Sequence, residues 1–243
     1  MPNPTAAALI IGDEILSGRT QDRNTRFLAR ALTQKGIDLK EVRVVGDSTE
    51  AIVGALNALR DTHDHVFTSG GIGPTHDDIT AEAVAEAFGV TLAVRADARA
   101  VLEAHYRAAG MQMTPGRLRM ARIPGDAELI DNPVSGAPGF SLGNVHVMAG
   151  VPAVFEAMVA SVLKQLEGGQ VLSSRTLRLD RGESEIAAPL ARLAGEFPEL
   201  SIGSYPFRHE GIHGTSIVVR GADPALVDRA VRRLARMFPE ARS

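Results

Sequence analysis

The densest chemistry in the sequence lies in Ser69-Gly70-Gly71-Ile72-Gly73-Pro74-Thr75-His76-Asp77-Asp78-Ile79-Thr80. Glycines at 70, 71 and 73 let backbone N–H groups approach an anion closely and tolerate positive φ. His65–Thr68 ahead of them reads as a short strand, and Ile79–Phe88 behind them as a helix stopped at Gly89. A loop in that position lies where open parallel sheets bind ligands, and the helix adds its positive end. Asp77 and Asp78 would then stand beside the phosphate. That placement makes electrostatic sense with a hard divalent cation such as Mg²⁺ between the groups. Such an ion polarises a phosphoryl oxygen or generates a nucleophilic water. An ordinary glycine turn, with Asp77 or Asp78 capping the next helix, is the alternative. No Lys-Ser or Lys-Thr follows the glycines, so this is not a Walker loop, and the spacing is not that of a dinucleotide fingerprint.

Other groups of the right type are scattered along the chain. Asp13 and Glu14 follow the first strand and could hold a metal or a ribose, or simply occupy a turn. Asp47 ends the second strand, where Asp47-Ser48 could also cap a helix. His63 and His65 flank a strand start away from the expected ligand end and read as surface residues. His76 lies within the loop. His209, Glu210 and His213 match no strong metal-ligand spacing and read as a hairpin loop. Ser69 has no paired His and Asp, so a serine hydrolase is not indicated.

The elements that must position these groups follow from periodicity. Ala6–Ile11 is a buried strand opening into Gly12, and Asn24 caps a helix burying Phe27, Leu28, Ala31 and Leu32. Ile37–Val45 is a second strand, followed by a helix from Ser48. Further helices are predicted at Ala98–Ala109 and Pro115–Ala121, strands near Phe140–Leu142 and Val145–Met148, and a helix from Pro152 to about Leu166. Alternation of this kind predicts parallel strands with crossover helices, hence a layered α/β domain. Gly168-Gly169 marks a break. Beyond it a strand, helix, strand, strand, helix order predicts a small α+β unit, which places the division at 1–169 and 170–243.

Composition narrows the classes. With 243 residues, 44% of them hydrophobic, the chain can bury a sizeable core. A net charge of −3 with no broad basic surface argues against a nucleic-acid partner. Arg229, Arg232, Arg233 and Arg236 have the spacing of a solvated helix face. Aromatics at 4% argue against base recognition by stacked rings. The absence of cysteine excludes disulfides and thiolate chemistry. No apolar stretch is long enough to span a bilayer, and Met1–Thr5 does not read as a signal peptide, so a cytoplasmic location is expected.

Gly70–Thr80 resembles the GG-x-GPT-x-DD-x-T signature of the N-terminal domain of competence/damage-inducible protein A (CinA), within the molybdopterin-binding superfamily. Ile11–Gly18 resembles that family's opening motif, Asp22-Arg23-Asn24-Thr25 its D-x-N segment, and Val45-Gly46-Asp47 its V-G-D segment. Asn132–Phe140 resembles its N-P-x-G-x-A-P-G-F stretch, and Gly150-Val151-Pro152 its G-x-P turn. The match covers about residues 5–165.

The resemblance implies a three-layer αβα fold with the ligand, a nucleotide or a pterin, across the strand ends. Asp47 and Asp78 match two acidic positions that flank the site in related adenylyltransferases, and are the candidate catalytic pair. Asp77 and Asp78 are the candidate metal ligands. Ligand contacts are expected from Gly12, Glu14 and Asn24 near the N-terminus. The loop would add Ser69, Gly70, Gly71, Gly73, Pro74, Thr75 and Thr80. Pro138, Gly139 and Gly150 would complete the set.

Some CinA-like proteins hydrolyse ADP-ribose with a divalent metal, which makes diphosphate hydrolysis the expected activity. Adenylyl transfer to molybdopterin and simple ligand retention are the alternatives. The loop lacks the R-D-[VI]-T-P continuation of the adenylyltransferases. The amidase domain of full-length CinA is not matched, so amidase activity is not expected. The superfamily commonly self-associates, which implies a homo-oligomer.

Overall fold

A computed structural model describes residues 2–209 and 211–242. The chain divides into two compact units, residues 1–169 and 170–243.

The first unit is built on β1 (Thr5–Ile11), flanked by β2 (Asp38–Val45) and β3 (His65–Ser69), both parallel to it. β8 (Val145–Met148) continues the parallel set beside β3. β7 (Gly139–Leu142) and β6 (Glu128–Ile130) then extend the sheet in antiparallel fashion, giving the order β2-β1-β3-β8-β7-β6. The parallel arrangement expected from the alternation therefore holds for four strands. Two short segments close together in sequence add an antiparallel edge, which tight connections allow.

β1 shows why the sheet is covered on both faces. Its apolar run alternates between two cores: Ala7, Leu9 and Ile11 belong to one, Ala6, Ala8 and Ile10 to the other. A strand buried on both sides needs a continuous apolar sequence. On the first face lie α3 (Thr49–Arg60), α4 (Thr80–Phe88) and α5 (Ala96–Ala108), which contribute Leu56, Val84 and Leu102. On the second lie α2 (Asn24–Lys35) and α7 (Pro152–Gln165), through Leu28, Leu32, Phe155 and Val159. The result is the three-layer αβα arrangement.

Four short elements carry no signal in the sequence: α1 (Asp13–Leu16), β4 (Leu92–Val94), β5 (Arg122–Pro124) and β6. None is long enough to show a period. β4 and β5 pair with each other as a two-stranded sheet, and α6 (Pro115–Arg119) precedes β5.

The second unit is an antiparallel sheet of order β10-β11-β9, formed by β9 (Ser173–Leu179), β10 (Ser201–His209) and β11 (Ile212–Gly221). α8 (Glu183–Glu196) and α9 (Pro224–Met237) supply Ile186, Leu193, Val227 and Leu234 to a core with Leu177, Ile217 and Val219. Among the described residues no helix is long and apolar enough to cross a membrane.

Candidate functional site

The parallel strands β1, β2, β3 and β8 all end on one side of the sheet, and a cleft of about 710 Å³ lies there. It is lined by Gly12, Glu14 and Thr20 after β1, Asp47 after β2, and Gly70–Pro74 with Asp77 and Asp78 after β3. Asn132, Ser135, Gly150, Val151 and Pro152 close the far wall.

The glycine loop is shaped by contacts that a side chain would block. Gly70 has φ of +114°, and a Cβ there would meet the carbonyl oxygen of Ile11 at 2.2 Å. Gly71 has φ of +68°, and a Cβ would strike Thr80 Oγ1 at 2.2 Å. Thr80, fully buried, closes the loop: its hydroxyl donates to Gly70 O at 2.9 Å and its N–H to Gly71 O at 3.0 Å. Gly70 N–H donates to Met148 O at 3.1 Å and so belongs to the sheet. Among the described residues no protein acceptor takes the N–H groups of Gly71, Ile72 or Gly73. Successive unsatisfied donors in a glycine turn form a concavity suited to an anion.

The carboxylates are fixed by different partners. Asp78 Oδ2 accepts from Thr75 N–H at 2.8 Å and from the Thr75 hydroxyl at 2.6 Å. It folds back on its own loop and does not cap α4, whose N-cap is Ile79. The Asp77 carboxyl is exposed and lies 3.8 Å from His76 Nδ1. Asp47 Oδ2 accepts the N–H of Asp13 at 2.9 Å, tying the end of β2 to the start of α1. The capping role weighed for Asp47-Ser48 falls to Ser48, whose hydroxyl accepts from Ala51 N–H.

Asn24 does something its sequence context does not reveal. It is the first residue of α2, not its cap. Asp22 accepts the N–H groups of Asn24 and Thr25 instead. The buried Asn24 amide donates to Ser69 Oγ and to Gly150 O, each at 2.8 Å. It thus joins α2, the glycine loop and the turn after β8.

Of the residues singled out in the sequence, Gly12, Glu14, Asp47, Gly70, Gly71, Gly73, Pro74, Asp77, Asp78 and Gly150 line the cleft together. Asn24, Ser69 and Thr80 are buried behind it as supports, and Thr75 is exposed beside it, holding Asp78. Pro138 borders a small crevice on the other side of Gly71–Gly73, with Arg119 and Arg122. Gly139 is buried in β7, where a Cβ would meet Val147 O at 2.3 Å.

Thr20, Ser135 and Val151 line the cleft without having been singled out individually. Ser135 and Val151 lay inside recognised motifs, whereas Thr20 carried no signal. Asn132, also on the wall, is buried and fully occupied by its own turn: it donates to Ser135 and Ala137 and accepts from Val134 and Ser135.

One histidine is placed differently from expectation. His65 is not a plain surface residue. It packs against His146, with ring centroids 5.6 Å apart, at the opposite end of β3 from the cleft. His76 is exposed. Glu210 lies outside the described residues.

One electrostatic fact dominates the cleft. Four carboxylates line it, from Glu14, Asp47, Asp77 and Asp78, and no Lys, Arg or His does. Among the described residues no three His, Asp or Glu side chains cluster closely enough to form a metal cage. Mg²⁺ commonly takes only one or two carboxylates and completes its shell with water and substrate phosphate. Any cation held here would have to complete its shell with oxygens from outside the protein.

Fold and cleft together define a three-layer α/β protein with an acidic cleft at the strand ends. Residues 7–168 match the family described as probable molybdopterin binding domain, and residues 171–243 match the middle domain of FAD synthase. The chain belongs to the molybdopterin-binding domain family and is CinA-like within it.

A CinA-like protein of Geobacter metallireducens is 36% identical over 206 residues, which make up 81% of this chain and 50% of that protein. A probable FAD synthase of Caenorhabditis elegans is 29% identical over 96% of this chain and 50% of its own length. The chain thus spans about half the length of these two relatives. A crystal structure of the protein CinA from Thermoplasma acidophilum is 36% identical with a TM-score of 0.62, covering 67% of this chain and 99% of that one.

Proposed function

We propose that this protein is a divalent-cation-dependent hydrolase of a nucleoside diphosphate compound such as ADP-ribose. The observation that carries this reading is the four-carboxylate cleft without a basic side chain beside a loop of unsatisfied N–H donors. An anionic diphosphate entering such a cleft needs a compensating cation. The similarity of residues 171–243 to the middle domain of FAD synthase supports a dinucleotide as the substrate class, because FAD also carries a diphosphate bridge.

In this reading the N–H groups of Gly71, Ile72 and Gly73 hold the diphosphate oxygens. Asp77 and Asp78 would hold the cation, which when bound neutralises phosphate charge and polarises the phosphoryl group. Asp47 or Glu14 orients a water. Asp47 Oδ1 has no protein donor among the described residues, so it is available to accept the water's proton. The water oxygen bonds to one phosphorus, the bridging oxygen leaves with the other phosphate, and AMP and ribose 5-phosphate result.

Release of AMP from ADP-ribose with Mg²⁺, Mn²⁺ or Co²⁺ is the test, with FAD as a parallel substrate and Asp78→Ala as control. Metal-dependent release that disappears in the variant supports the assignment. Release unaffected by EDTA, or by Asp78→Ala, removes this mechanism.

The family match favours one second reading, in which the cleft takes molybdopterin and the protein transfers AMP to it. Incorporation of AMP from ATP into authentic pterin would support that reading; its absence would remove it.

A further inference from the structure

A second cavity, of about 660 Å³, runs along α2 and faces α7. Its lining is the electrostatic opposite of the cleft. Arg23, Arg26 and Arg30 stand along it at helical spacing, with Phe27 and Ala31 as an apolar floor. Two acids share the cavity, Asp22 and Glu156, and Asp22 already accepts the N–H groups of Asn24 and Thr25. All three arginines are exposed, and among the described residues none of them forms an ion pair or side-chain hydrogen bond.

The helix end carries its own countercharge, Asp22, which accepts the N–H groups of Asn24 and Thr25. α2 has no acidic residue in its first turn; Arg23 precedes the helix and Arg26 lies in that turn. Cations there face the positive end of the helix dipole. Arginine, moreover, presents a planar fork of donors that matches phosphate oxygens.

We propose that the α2 cavity is a second, metal-independent anion site that takes a small phosphate-bearing ligand, its phosphates on Arg23, Arg26 and Arg30 and its apolar part against Phe27. The inference does not rest on hydrolysis in the cleft. The two cavities divide the chemistry: the cleft needs a cation to accept phosphate, whereas the α2 cavity supplies its own positive charge.

The test is calorimetric titration of the full chain with inorganic pyrophosphate, and with ADP, in EDTA at low ionic strength. One anion bound per chain is expected. Arg26→Gln with Arg30→Gln should weaken it about tenfold or more, the scale of two lost charge-assisted hydrogen bonds. Arg229→Gln should leave it unchanged. ADP binding tighter than pyrophosphate, and weakened by Phe27→Ala, would support the apolar contact.

No binding in EDTA, equal binding by the double variant, or an equal loss in Arg229→Gln would overturn the site. So would a change of oligomeric state in the ligand-free double variant, which would mark this face as a contact between copies. Failure of the metal-dependent reading instead shows as absent turnover with EDTA-insensitive binding intact.

Discussion

The Asn24 amide donates to the Ser69 hydroxyl across 2.8 Å inside the protein, and the same nitrogen donates to Gly150 O at 2.8 Å. Three segments that end at the cleft are thereby held by one side chain. Asn24→Ala should cost about 1–3 kcal/mol, because it leaves Ser69 Oγ and Gly150 O without that donor. Urea denaturation measures the loss. Ligand affinity should fall more in this variant than in an equally destabilised variant of the second unit, since only the former releases the loop.

Gly71 and Gly110 share nearly the same backbone, with φ of +68° and +66°, but Gly110 has open space where a Cβ would go. Gly110→Ala should therefore cost only the strain of the left-handed conformation, about 1 kcal/mol. Gly71→Ala adds the clash with Thr80 and should be worse in stability and in phosphate binding. Equal thermal shifts for the two would show that the loop tolerates the Cβ.

Thr75→Val keeps the backbone bond to Asp78 but removes the 2.6 Å hydroxyl bond. Asp78 then loses one of its two anchors. Binding of ADP-ribose with Mn²⁺ should weaken about tenfold, in line with the loss of one hydrogen bond to a charged group, while the thermal midpoint changes little. Titration calorimetry of the variant beside the parent checks both expectations.

His146 is buried between Ser141 and His65, and its pKa is depressed to about 4, first by burial and then by the neighbouring His65. The unfolded chain takes up this proton near 6.5, so between about 6.5 and 4 it binds more protons than the folded protein. The stability is complete above that window and is lost as pH falls through it. The displacement corresponds to roughly 3 kcal/mol. His146→Gln should flatten the acid limb of stability against pH, measured by urea midpoints from pH 7 to 4. An unchanged limb would assign acid sensitivity to other groups.

Much of this architecture was legible from local pattern. The apolar run of β1, the strand before Gly70 and the helix after it all carried periods that survive in the structure, and the motifs pointed to the CinA-like family. What local pattern missed was short or depended on distant partners. β4, β5 and β6 have three residues each, too few to show a period. His65 looked like a surface residue because its burial comes from His146, 81 residues away.

The sequence by itself determined the two-sided burial of β1 and the position of the glycine loop between strand and helix, because apolar periodicity and glycine placement act over a few neighbouring residues. It also named ten of the residues that line the cleft. Only the tertiary structure decided their division of labour: that Asn24 braces the loops, that Asp78 folds onto Thr75, and that four carboxylates line one cleft to which no basic side chain contributes. Those outcomes depend on which strand ends are neighbours in the sheet, and that is set by long-range packing.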